Sequence, residues 1–136
     1  MSANISVCDC GSFLPQNMCC EQYLSGKSTP ATAEALMRSR YTAFTVGNVD
    51  YLYETYADDW KKKHSKVQFL QDFTQMDWEG LEVLAIFQGS GKFDTGEVEF
   101  VAHYRYNGLS FSVHERSFFQ KEDGQWRYVG EVISKS

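Results

Sequence analysis

Val98-Glu99-Phe100-Val101-Ala102-His103-Tyr104-Arg105-Tyr106-Asn107-Gly108-Leu109-Ser110-Phe111-Ser112-Val113-His114-Glu115 alternates apolar and polar residues on both sides of an Asn-Gly pair. Both turn residues tolerate positive φ, so the spacing predicts a β-hairpin centred on residues 107–108. Tyr106 then faces Leu109. Counting back along the ladder sets Tyr104 opposite Phe111, Ala102 opposite Val113, Phe100 opposite Glu115 and Val98 opposite Ser117 on one apolar face. The other face carries Glu99 opposite Arg116. A second hairpin at Asp123-Gly124 sets Phe119 opposite Tyr128 and Arg116 opposite Glu131, which makes Arg116 the centre of an outward charge triad. An earlier strand over Leu81–Phe87 completes a curved antiparallel sheet of about four strands.

Upstream, the apolar period changes from two to 3.6. Thr32 caps a helix whose Ala33, Leu36, Met37, Tyr41 and Phe44 recur at helical spacing, and Gly47 ends it. Asn48 caps a second helix with Val49, Leu52 and Tyr56 on one face and Trp60 just beyond. Lys61-Lys62-Lys63-His64 reads as a solvated turn, and residues 65–73 as a third short helix. Helices followed by a meander define an α+β fold in which N-terminal helices cover the concave face of the sheet.

The chain has 136 residues, room for one domain and a small appendage. Ten Phe, eight Tyr and three Trp make the core aromatic and any interior cavity ring-lined. A net charge of -5 disfavours nucleic acid as a partner, which needs a basic face. No apolar run reaches membrane-spanning length, so no membrane association is expected. Met1–Ile5 is too short and polar for a secretory signal, which points to the cytoplasm and leaves the sequon Asn4-Ile5-Ser6 without consequence. Gly26-Lys27-Ser28 mimics the end of a phosphate-binding loop, but Glu21 stands where the first glycine is required.

All four cysteines lie within the first twenty residues, as Cys8-Asp9-Cys10 and Cys19-Cys20. Two short thiol pairs on either side of a loop can close around one tetrahedral ion, and zinc is the expected cofactor, in a structural role. A pair of disulfides is the alternative, disfavoured because adjacent and once-separated cysteines bridge poorly to each other. The Ser25–Pro30 linker divides the chain into a zinc-binding segment over residues 1–29 and a main domain over 30–136.

Glu115 does not fit a plain core. The alternation places its carboxylate on the face of the aromatic rings, where a charge needs a partner. On the first helix Arg40 falls between Leu36 and Phe44 on the apolar stripe, whereas Arg38 points away. Arg40 and Glu115 are therefore expected to form a buried salt bridge or to line a polar pocket together, with Tyr41, Trp78 and Tyr104 as the surrounding rings.

Cys-x-Cys-Gly-Ser at 8–12, Cys19-Cys20, the stretch Thr32-Ala33-Glu34-Ala35-Leu36-Met37-Arg38-Ser39-Arg40-Tyr41-Thr42-Ala43-Phe44, then His114-Glu115-Arg116-Ser117 and Trp126-Arg127-Tyr128 resemble the YchJ family. Those proteins join a zinc-binding SEC-C motif to a nuclear transport factor 2-like domain. The resemblance implies a cone-shaped α+β domain with an interior cavity, zinc ligands at Cys8, Cys10, Cys19 and Cys20, and no established activity. In the related translocase motor protein the SEC-C tail contacts a chaperone and the ribosome. Here the usual basic loop is replaced by Phe13-Leu14-Pro15-Gln16-Asn17-Met18, and the family's second cysteine motif has no counterpart before Ser136.

The function expected from the sequence is that of a cytoplasmic zinc-binding module, more an interaction protein than an enzyme, contacting a protein partner through the knuckle. The alternative is a pocket protein or enzyme holding a small-molecule ligand at Arg40 and Glu115. A monomer or a homodimer is expected.

Overall fold

Capping side chains decide where the helices begin. The computed structural model describes residues 7–12 and 14–132; the sequon at Asn4 and the loop residue Phe13 lie outside them. Among the described residues a 3-10 turn at Gln16–Met18 and five α-helices, α1 (Glu21–Leu24), α2 (Ala33–Val46), α3 (Val49–Glu54), α4 (Asp58–Lys63) and α5 (Lys66–Asp72), precede four strands, β1 (Asp77–Gln88), β2 (Thr95–Tyr106), β3 (Leu109–Glu122) and β4 (Gln125–Glu131). Thr32, Asn48 and Ser65 each accept the amide three residues on, opening α2, α3 and α5. Gly47 closes α2 in the left-handed conformation.

The sheet is an antiparallel meander of order β1-β2-β3-β4. Asn107 and Gly108 both take positive φ, and every β2–β3 partner follows the register expected from that turn, from Tyr106 opposite Leu109 to Val98 opposite Ser117. Helix α2 lies on the concave face and buries Leu36, Met37 and Tyr41 against Leu81, Val98, Ala102, Phe119 and Trp126. Cys8, Cys10 and Cys20 belong to the same buried cluster, so the cysteine segment is packed onto the main core.

Four local expectations are corrected. Lys61–Lys63 form the last turn of α4, where their charge complements the helix dipole, and the His64 ring stacks on Trp60 at 4.1 Å. Tyr56 lies beyond α3 and bridges to Tyr128 as an added strand-like contact. Strand β1 starts four residues earlier than expected, at Asp77, because bulges after Trp78 and Val83 break the alternation. A third bulge, beside Phe118, puts an extra residue on β4 and slides Glu131 opposite Ser117. Arg116 therefore pairs with Glu97 and Glu99 at 3.5 and 3.4 Å, and Glu131 is not in the triad.

Candidate metal centre and interior cavity

Antiparallel pairing of Val7 with Pro15 and the Cys8 amide bonded to the Leu14 carbonyl fold the amino-terminal loop back on itself. That loop carries Cys8 and Cys10 to the start of α1, where Cys19 and Cys20 stand. All four Sγ atoms lie within 4.8 Å of one another, three of the residues buried and Cys19 half-buried. Cys10 and Cys19 Sγ are 3.6 Å apart, Cys19 and Cys20 Sγ 3.9 Å. Sulfurs held about 2.3 Å from one tetrahedral zinc would stand about 3.8 Å from each other. The donor set fits that ion, and none of the four is in a disulfide.

Among themselves the thiols ionise unequally. Hydrogen bonds from Cys10 and Cys20 pull Cys8 far below the ordinary thiol range, while contacts with Cys10 and Cys8 push Cys20 far above it. Burial raises Cys19. Thiolates gathered this closely would repel one another, a repulsion that a bound cation would offset.

Outer contacts hold the loop in place. Ser12 Oγ lies 3.2 Å from Cys19 Sγ and Thr42 Oγ1 3.5 Å from Cys8 Sγ. Arg38 points away from the apolar stripe, as its helical position predicts, and there its Nη1 donates to the Cys10 carbonyl at 2.6 Å while its Nε pairs with Glu34 at 2.9 Å. Gly11 has φ 84°, and a Cβ there would meet the Leu81 carbonyl oxygen at 2.9 Å. Only glycine lets the knuckle sit this close to β1. Gly11→Ala is therefore expected to cost about 2–3 kcal/mol and to weaken the hold on any ion the cysteines bind. Thermal melting together with the chelator concentration that strips the metal checks both.

A cavity of about 280 Å³ opens between α2 and the sheet. Its walls are Met37, Arg40, Tyr41 and Phe44 from α2, Phe100 and Ala102 from β2, Val113, Glu115, Ser117 and Phe119 from β3, with Tyr56, Trp78 and Tyr128. Of the five residues singled out in the sequence, Arg40, Glu115, Tyr41 and Trp78 meet here. Tyr104 is one ring further out, 5.1 Å from Trp78 and 5.4 Å from Phe111.

Arg40 and Glu115 share the cavity without an ion pair between them, so the salt-bridge form of the expectation is corrected. Each has taken other partners. Arg40 Nη1 donates to Leu52 O at 2.8 Å and Thr55 Oγ1 at 2.6 Å, and its guanidinium lies 4.5 Å from the centres of both the Tyr56 and Tyr128 rings. Burial lowers its pKa, with the two tyrosines opposing that shift. Glu115 Oε2 accepts from Ser117 Oγ at 2.5 Å and from Tyr128 Oη at 2.7 Å. Burial, then the Glu115 charge, raises the Tyr128 phenol, which stays protonated as a donor. Burial likewise pushes Tyr41 up to about 12.

The part of Tyr56 was missed in the sequence reading, since it depends on chain beyond α3 returning to the sheet. Tyr128 was legible: its place opposite Phe119 puts it on the inner face. No local pattern announces the Arg38 clamp.

A cone of helices and antiparallel sheet with a cysteine cluster packed at its amino end defines a nuclear transport factor 2-like domain joined to a SEC-C-type motif. The model of the YchJ middle NTF2-like domain matches residues 32–131. The chain belongs to the YchJ family. A UPF0225 protein of Serratia proteamaculans is 38% identical over 125 residues, covering 90% of this chain and 80% of that one. A UPF0225 protein of Geobacter sulfurreducens is likewise 38% identical over 125 residues, covering 91% and 77%. Among solved structures, a SEC-C motif containing protein from Rhodopseudomonas palustris superposes with a TM-score of 0.83 at 32% identity, covering 96% of this chain and all of that one. Another from Psychrobacter arcticus gives 0.77 at 26% identity, covering 97% and 85%.

Proposed function

We propose that this protein is a cytoplasmic interaction module whose four cysteines hold a structural zinc ion, and that the knuckle so formed docks a protein partner. The observation that carries this reading is the set of four thiol sulfurs spaced for one tetrahedral ion. Four sulfur ligands leave no open coordination position, which favours a structural over a catalytic metal. A reducing compartment keeps such thiols available.

The knuckle presents its apolar side chains outward. Met18 is 68% exposed and Leu14 52%, and both border a groove of about 200 Å³ that continues over Tyr23 and Ala35. Exposed apolar side chains on a rigid, metal-held loop suit a partner that inserts an apolar side chain of its own. No helix among the described residues is long and apolar enough to cross a membrane.

Two measurements test the reading. Metal analysis of protein purified without chelator should give one zinc per chain, and none in Cys10→Ser. A photo-crosslinker placed at Met18 should then give a discrete protein adduct in cells. That adduct should disappear with Leu14→Asp, which leaves zinc content unchanged. Stoichiometric zinc with crosslinking no different from a probe at Lys62 would leave the metal role standing and remove the docking role.

A further inference from the structure

We propose that the interior cavity is a binding site for a small organic carboxylate with an aromatic or branched aliphatic body, its carboxylate on Arg40 and a hydrogen-bond donor turned toward Glu115. This site is separate from the cysteine knuckle and stands or falls independently of it.

Arg40 is only 6% exposed, yet both acceptors of its Nη1 are uncharged, the Leu52 carbonyl and the Thr55 hydroxyl. No carboxylate among the described residues lies within 4.0 Å of it. A buried guanidinium so placed keeps its charge uncompensated at close range. Its other nitrogens meet no carboxylate or carbonyl acceptor among the described residues, and the Tyr56 phenol is the one further side-chain partner. Arg40 lines the cavity, so a ligand there can approach the guanidinium. The tyrosine rings and the two Nη1 bonds hold the fork in one orientation before any ligand arrives.

Glu115 is the obvious internal counter-ion, and it is turned elsewhere. Among the described residues both of its donors, Ser117 and Tyr128, go to Oε2, and none goes to Oε1. The cavity thus offers planar cationic donors on one side and a carboxylate acceptor on the other, between walls made by Phe100, Phe119, Trp78 and Tyr41. A single guanidinium near a carboxylate suits a planar monoanion and disfavours a phosphate dianion, which Glu115 would repel. At about 280 Å³ the space lies at the lower limit of ordinary ligand pockets and accommodates a single-ring molecule.

The test uses the zinc-loaded full chain with benzoate, the neutral isostere benzamide, 4-hydroxybenzoate and 4-methoxybenzoate as probes. Tryptophan fluorescence, to which Trp78 in the wall responds, and the shift in Tm report binding. Benzoate should bind about 10- to 100-fold more tightly than benzamide, the range of a charge-assisted hydrogen-bond pair in a dry site. 4-Hydroxybenzoate should exceed 4-methoxybenzoate, because only the phenol donates toward Glu115. Val113→Trp fills the cavity from its wall without touching Arg40, and should abolish the response while the fold is retained. Arg40→Lys keeps the charge but loses the fork, and should weaken benzoate about tenfold. Should that variant fold poorly, the comparison of benzoate with benzamide in the unaltered chain still decides. The proposal is overturned if benzamide matches benzoate, if no carboxylate binds up to about 10 mM, or if Val113→Trp leaves binding unchanged. Equal binding of the phenol and the ether overturns the part assigned to Glu115.

Discussion

If the knuckle holds the zinc proposed for it, stripping that ion should lower the melting temperature by about 10–20 °C, a loss of about 3–5 kcal/mol for a chain of this size. Cys8, Cys10 and Cys20 belong to the same buried cluster as Leu36 and Leu81, so loosening the knuckle would expose apolar surface beyond the knuckle itself. Without the cation, closely spaced thiolates repel, and the thiols must take back protons or move apart. The β2–β3 hairpin, with Val98, Ala102 and Phe119 in its own packing against Trp126, should still melt cooperatively. Ligation needs thiolates, so the contribution of such an ion would be present at neutral pH and lost as pH falls and protons compete for sulfur. Calorimetry with and without chelator at pH 7 and pH 5, combined with hydrogen exchange, reads this out. An unchanged melt would mean that no ion supports the fold, and loss of every protected amide would make the knuckle indispensable to the sheet.

Arg40→Ala is expected to cost about 3–5 kcal/mol, whereas Arg40→Met should be near neutral. Alanine removes the side chain that fills the corner between Tyr56 and Tyr128, two cation–π contacts and the hydrogen bonds that tie α2 to the end of α3. Methionine restores most of that volume. It also sheds the desolvation cost of the guanidinium, the same burial that lowers the Arg40 pKa. Urea denaturation of the two variants checks this. If methionine is as costly as alanine, the charge itself holds the fold together. If methionine is tolerated, the charge is retained for something other than stability, which agrees with a ligand carboxylate in the cavity.

The hairpin and its neighbours differ in how much of them the sequence reveals. Asn107-Gly108 closes a turn of known length, and a side-chain period of two then leaves one register that keeps Val98, Phe100 and Ala102 on the inner face. The same reasoning failed at β4, where a bulge beside Gly130 inserts a residue without changing the apolar pattern. Caps at Thr32, Asn48 and Ser65 were readable because each acts on an amide three residues away. Helix α4 was hidden under a charge run that resembles a turn, although Lys61–Lys63 at its carboxyl end is where a helix dipole favours them.

Residue type and spacing determined the cluster of four cysteines, the helix-then-meander order, the central register and the presence of both Arg40 and Glu115 on the inner side, because each follows from local periodicity or short-range geometry. Tertiary structure alone decided that Arg40 turns to Leu52, Thr55 and two tyrosines, that Glu115 turns to Ser117 and Tyr128, and that Arg38 grips the Cys10 carbonyl. Those choices join residues far apart in the chain. They depend on which polar partners the packed elements bring within about 3 Å, a distance that no pattern along one strand or helix encodes.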